Sequence, residues 1–221
     1  MVCIVGGLSL AGSAHWALGQ NNQLTVHSKS RFWIQGEATT HDFTCQVLSV
    51  DGSARLPPTR DPISASTSVE APEVRVTVPV EAFDCGNRRM TRDLQETLKM
   101  KAHPKIRFEL VHASVEKRDP DASAQWRTIE ALGALTIAGT KRLIRLRAKG
   151  QAVDKNHFRV RGCKPIRMSY FGVEPPTKAL GLIRVKNRVE VQFDLLARPK
   201  GTSGAAPFDT LALGSPPSCE K

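Results

Sequence analysis

The sequence predicts an all-β protein, an antiparallel barrel of eight strands with one helix covering an end. Three observations carry that expectation. Apolar and polar residues alternate with a period of two over several segments, short turn signals separate those segments, and one stretch repeats its apolar residues every four positions instead.

The chain opens without charge. Its first 26 residues contain no Asp, Glu, Lys or Arg, and the apolar run from Val2 to Ala17 ends in small residues before "ALGQ". This reads as a signal peptide over residues 1–19, with Ala17 and Gly19 placed for cleavage before Gln20. A basic leading region is missing, so the alternative is an uncleaved, weak anchor. Gly6, Gly7, Gly12 and Ser13 make the run too mild and too short for a spanning helix.

Residues 20–199 form the expected barrel domain. In "VRVTVPVEAF", Val74, Val76, Val78 and Val80 share one face while Arg75, Thr77 and Glu81 lie off it, as in a strand with one wet side. The same period places strands at Ile106, Phe108 and Leu110, at Leu135 and Ile137, and at Val189, Val191, Phe193, Leu195 and Ala197. Further strands are expected at Leu24 to Ala38, Asp42 to Val50, Leu143 to Lys149 and Phe158 to Cys163. "DGS" after Val50, "AGTK" after Ile137, "KNH" after Asp154 and "VKNR" before Val189 read as hairpin connections. Consecutive strands are then antiparallel. Closing such a sheet on itself removes the edges that would otherwise pair with other chains.

Between two of the strands lies "CGNRRMTRDLQETLKMKAHPKIRFEL". Met90, Leu94 and Leu98 recur every four residues, Asn87 is a capping residue, and Pro104 forbids continuation, so a helix with one apolar stripe is expected there. That stripe needs an apolar partner, and an open barrel end supplies one. Residues 200–221, rich in Gly, Ser, Ala and Pro, read as a flexible C-terminal tail.

The net charge of +11 draws the chain toward anionic surfaces. Only 5% of residues are aromatic and Tyr170 is the sole tyrosine, which furnishes no stacking platform, so nucleic acid is not an expected partner. Catalysis is not expected either. None of the six histidines stands in an HxxxH, HxH or HExxH arrangement, and no GxSxG, P-loop or dinucleotide fingerprint occurs. His41 beside Asp42 and near Cys45 reads better as a strand neighbour of a disulfide cysteine than as half of a catalytic pair. No cysteine spacing suggests zinc, and no metal is expected. Once Cys3 has left with the signal, Cys45, Cys85, Cys163 and Cys219 can pair in three ways.

Several passages together have a family likeness. "GALTIAGTKRLIRLRAKG" carries Gly133, Leu135, Thr136 and Gly139, "MSYFGVEPPTKALGLIRVKNRVEVQFDLLA" carries Phe171-Gly172, and "KMKAHPKIRFEL" carries His103-Pro104 leading into Ile106 and Phe108. With "THDFTC" and "DCG", Thr40 to Cys45 and Asp84 to Gly86, the chain resembles the YceI-like family of exported lipid-binding proteins from about Leu24 to Ala197. It departs from the better-known branch in lacking a His in the helix, where "TRDLQETL" stands.

The resemblance implies a lipocalin-like barrel in the bacterial periplasm or secreted. Within it would lie a long apolar ligand, a polyisoprenoid, an isoprenoid quinone precursor or a fatty amide, held for storage or transport with no other cofactor. The alternative is an envelope stress or structural protein with no obligatory lipid. Partners to expect are the lipid, transiently an anionic membrane surface, and a second copy of the chain as a homodimer.

Apolar cavity candidates are Val76, Val78, Phe108, Leu110, Leu135, Ile137, Phe158, Phe171, Phe193 and Leu195. Each taken singly packs in an ordinary core as readily as it lines a cavity. The joint occurrence of Cys45 and Cys85 in the branch that this chain resembles, together with export, points to a bond between them. Such a bond ties the base of the helix to the barrel wall and contributes about 3 to 4 kcal/mol. Two reduced, buried thiols are the alternative. Cys163 and Cys219 are left without an assigned partner.

Overall fold

The computed structural model describes residues 22–56, 72–115, 126–154, 156–178, 182–201 and Cys219. The expected signal peptide, and the expected tail apart from Lys200, Gly201 and Cys219, lie outside those residues. Strands run in chain order as β1 (Gln23–Val26), β2 (Arg31–Ala38), β3 (Asp42–Val47), β4 (Asp51–Arg55), β5 (Glu73–Pro79) and β6 (Phe83–Asp84). After the helix α1 (Arg88–Thr97) come β7 (Lys105–Val115), β8 (Arg127–Ile137), β9 (Thr140–Ala152), β10 (Phe158–Arg167), β11 (Thr177–Lys178) and β12 (Ile183–Pro199).

Every pairing among them is antiparallel. The path β1-β4-β5-β7-β8-β9-β10-β12 returns to β1 through Leu24–Pro199, Thr25–Arg198 and Val26–Ala197, and so closes an eight-stranded barrel. β2, β3 and β6 continue the lines of β1, β4 and β5 past short breaks, pairing in turn with β12, with β2 and with β3. The breaks keep their backbone groups satisfied: His27 N–H donates to Leu196 O at 2.7 Å, Leu48 N–H to Ala82 O at 2.9 Å, and Val80 N–H to Pro104 O at 2.9 Å.

Two expected turns are instead parts of strands. Asp51, Gly52 and Ser53 lie inside β4, where a Cβ on Gly52 would come within 2.5 Å of the Val26 side chain, so this glycine serves close packing rather than reversal. Residues 185–188 lie inside β12, where the register with β2 shifts between Val185 and Val189, so "VKNR" makes a bulge. The uninterrupted strand expected at Leu24 to Ala38 is divided into β1 and β2, and the one expected at Asp42 to Val50 ends at Val47.

The other two expected connections are turns. Ala138 and Gly139 have φ of 47° and 83°, the left-handed pair that a two-residue hairpin between β8 and β9 needs. Between β9 and β10, Asp154 Oδ1 accepts from the backbone N–H of Asn156 and His157 at 2.8 and 2.9 Å. Burial pushes this carboxyl up, but those bonds and the His157 ring hold it below its ordinary value.

Aromatic rings lie on glycines of neighbouring strands along the inner wall. An added Cβ would meet Phe108 at 2.2 Å from Gly133, Phe193 at 2.4 Å from Gly162 and Phe43 at 2.4 Å from Gly36. The missing side chains let the rings lie flat against the barrel.

The outward face of β10 and β12 carries a buried charge cluster. Asp194, 1% exposed, accepts two hydrogen bonds from Arg159 at 2.8 and 2.7 Å, with Arg161 and Arg31 at 3.6 and 3.9 Å. Register explains the meeting, since Asp194 stands directly across from Arg161 on β10 and Arg31 on β2. The bidentate bond to Asp194 raises the Arg159 pKa against the opposing effect of burial. Asp194→Asn leaves that guanidinium charge buried without its counter-ion. We expect a loss of about 3 to 5 kcal/mol in urea unfolding with an unchanged m-value.

Candidate functional site

Alternation along the strands turns an apolar face inward, and near α1 that face encloses a cavity of about 530 Å3. Phe32 and Ile34 of β2, Phe43 and Cys45 of β3, and Val185, Val189 and Val191 of β12 form one wall. Ile106, Leu135 and Ile137 form the opposite wall, and Ile166, paired across from Val189, with Met168, Phe171 and Val173 of the following turn, completes the lining. The cavity separates two groups of buried side chains, one around Cys45, Val80 and Phe83, the other around Ile166, Phe171 and Val173.

α1 forms the roof with Met90, Leu94 and Leu98, the stripe that the four-residue repeat predicts. It begins at Asn87, whose Oδ1 accepts from Arg89 N–H at 2.9 Å and Met90 N–H at 3.2 Å. It ends well before Pro104, because Lys99 takes φ 57° and turns the chain out of the helix. Cys45 and Cys85, at a sequence separation of 40, are bonded, so the foot of the helix is covalently fixed to a fully buried point of the wall. At the far end Leu98 is buried in the core, and Lys99 Nζ donates to Gly172 O at 3.2 Å.

The lining is apolar except at the mouth, where His41, Asn87, Arg89, Asp93 and Thr97 converge. A deep greasy chamber with a few polar groups at one edge suits a molecule with a long apolar body and one polar end.

Of the ten residues that the sequence nominates for a cavity, Leu135, Ile137 and Phe171 line this one. Val76, Val78, Phe108, Leu110, Phe158, Phe193 and Leu195 share the inward face, as Val76–Phe108–Leu135 and Val78–Ile106 pair across strands, but they lie outside its lining. The lining residues of β2, β3 and the Ile183 to Val191 segment were not nominated. Their strands alternate, but periodicity gives the face and not the level along the barrel.

A second disulfide joins Cys163 on the outer face of β10 to Cys219. Both sulfurs approach Glu190, and among the described residues these three are the one group with metal-ligand spacing. The disulfide occupies both sulfurs, so no thiolate is offered there. Also among the described residues, no helix is long and apolar enough to cross a membrane.

A family model described as a YceI-like domain matches residues 23–197. Among solved structures, a polyisoprenoid binding domain from Saccharophagus degradans, implicated in plant cell wall breakdown, aligns with a TM-score of 0.60 at 11% identity over 80% of this chain and 98% of that one. BcnA of Burkholderia cenocepacia aligns at 0.57 with 16% identity, over 76% and 96% of the two chains. The Campylobacter jejuni YceI protein aligns at 0.52 with 20% identity, over 71% and 84%. At such identities these structures share the fold, which alone assigns no ligand. No curated protein sequence matches the chain.

Removing the covalent foot tests the roof. Cys85→Ser is expected to cost about 3 kcal/mol in denaturant unfolding, and limited proteolysis of the variant is expected to cut first near α1.

Proposed function

Because the chain belongs to the YceI-like family, we propose that it holds a long apolar lipid inside its barrel and carries or stores it outside the cytoplasm. The observation that carries this reading is the apolar cavity under α1, open at a polar mouth. A polyisoprenoid, an isoprenoid quinone precursor or a fatty amide all have the required shape. The tail lies against Leu135, Ile137 and Val191, and the polar end meets His41 and Arg89 at the mouth.

Burial of each methylene contributes about 0.8 kcal/mol, so a long tail supplies far more gross energy than any measured affinity retains. Ordering the tail and desolvating the head offset most of it. Binding on these terms tolerates variation in tail length, while the mouth selects the head. Two disulfides support an oxidising compartment, in keeping with the uncharged leading segment. The function is binding rather than catalysis, and the +11 charge favours transient contact with anionic membranes.

Native mass spectrometry of freshly purified protein, followed by organic extraction, tests the proposal. A lipid of one chemical class is expected to travel with the barrel. Val189→Trp, which places an indole in the cavity, is expected to keep the fold by circular dichroism and to lose most of that lipid. Wild-type protein that carries no lipid, and takes none up from vesicles, would contradict the proposal and favour a structural role in the envelope.

A further inference from the structure

The chain's positive charge is unevenly placed. Along α1, Arg88, Arg89 and Arg92 are interspersed with Asp93 and Glu96, and Glu81 lies in the preceding turn. On the wall formed by β8, β9 and β10, exposed cations line up along one strand. Arg145, Arg147 and Lys149 occupy alternate positions of β9, opposite Leu132, Glu130 and Thr128 of β8, and all three are exposed. Alternate residues on a strand lie about 7 Å apart on one face, so these cations form a row about 14 Å long.

That row borders a depression in the wall. β9 and β10 pair from Ala152–Phe158 only as far as Ala148–Gly162, although both strands continue, so their remaining lengths are not paired with each other. A basin of about 1140 Å3 lies at the parting. Lys164 of β10 joins the row of three in lining it, beside Arg161, which pairs with Asp194, while Glu130 is its one acidic residue.

The same wall breaks the alternation expected of a wet sheet face. Leu143, two residues before Arg145, is 60% exposed, and Val111, in the bulge of β7 beside Leu132, is 53% exposed. Trp126 stands at the basin's edge with Arg161 over its ring at 6.0 Å. Exposed aliphatic side chains, an aromatic ring and cations with long apolar stems form the combination that settles at a lipid headgroup layer.

We propose that this wall docks the barrel onto an anionic lipid bilayer. The row on β9, with Lys164 of β10, takes the phosphorylated headgroups, and Leu143 and Val111 enter the boundary beneath them. This inference rests on the lipid-carrier reading, for which it supplies the surface that donates or receives the cargo. None of the docking side chains named lines the inner cavity, so lipid content and bilayer binding are separable.

Co-sedimentation with phosphatidylglycerol-containing vesicles and with pure phosphatidylcholine vesicles, at low and high salt, tests it on the full chain. Binding is expected only to the anionic vesicles and is expected to fall steeply with salt. Arg145→Glu combined with Arg147→Glu and Lys149→Glu should lower partition roughly tenfold or more. The Gln versions of the same three positions, which keep the fold with less perturbation, should lower it by a smaller factor. Leu143→Ser should weaken binding with little change in its salt dependence, and Arg88→Glu with Arg92→Glu should leave binding close to wild type.

Each variant is also extracted for lipid, and its cargo is expected to be unchanged. Unaltered vesicle binding by the β9 charge variants overturns the proposal, as does binding to soluble polyphosphate with none to anionic vesicles. Wild-type protein that docks as described but carries no lipid overturns the carrier reading instead.

Discussion

β12 is the strand on which the fold depends. Its seventeen residues pair with β10 along one edge and with β2 and then β1 along the other, so a single strand both continues the sheet and closes it. Without that closure β1 and β12 would each offer an open edge, and the inward faces would have no common interior to bury. Leu196 is fully buried at the junction, and Asp194 beside it gathers arginines from both neighbouring strands. Charge pairing of this kind contributes less to net stability than to register. A slip by one residue would turn Phe193 outward and bring Asp194 into the apolar lumen.

Closure creates an interior, part of which stays hollow. Phe108 and Phe193 lie on Gly133 and Gly162 along the inner wall. Toward α1 the inward positions carry Val185, Val189 and Val191 opposite Leu135 and Ile137, and with Phe32 and Phe43 they line the cavity. The helix then spans the gap as a roof, with a covalent foot at Cys85 and Leu98 buried at its far end.

Much of this was legible in the chain. Period-two alternation found the staves, "AGTK" found the β8–β9 hairpin, and the Met90, Leu94, Leu98 repeat behind Asn87 found the roof. What escaped depends on contacts distant in sequence. Asp194 occupies a polar slot of its strand, and only the register with Arg159, Arg161 and Arg31 shows it to be buried. Gly52 looks like a turn residue until Val26 is seen against it, and "VKNR" looks like one until β2 pairs along it. Cysteine spacing alone leaves connectivity open, so the Cys163–Cys219 bond had no local signal. Seven of the ten nominated interior residues share the inward face but not the cavity, because alternation carries no information about depth.

The account turns on whether the space under α1 is a lipid chamber. A crystal structure of protein purified without organic solvent or delipidating detergent tests this most directly. The account predicts one continuous, elongated density running from the mouth at His41 and Arg89 toward Leu135 and Ile137, too long for a row of waters. Separate peaks at water spacing, or walls collapsed onto one another with Leu94 against Leu135, would contradict it.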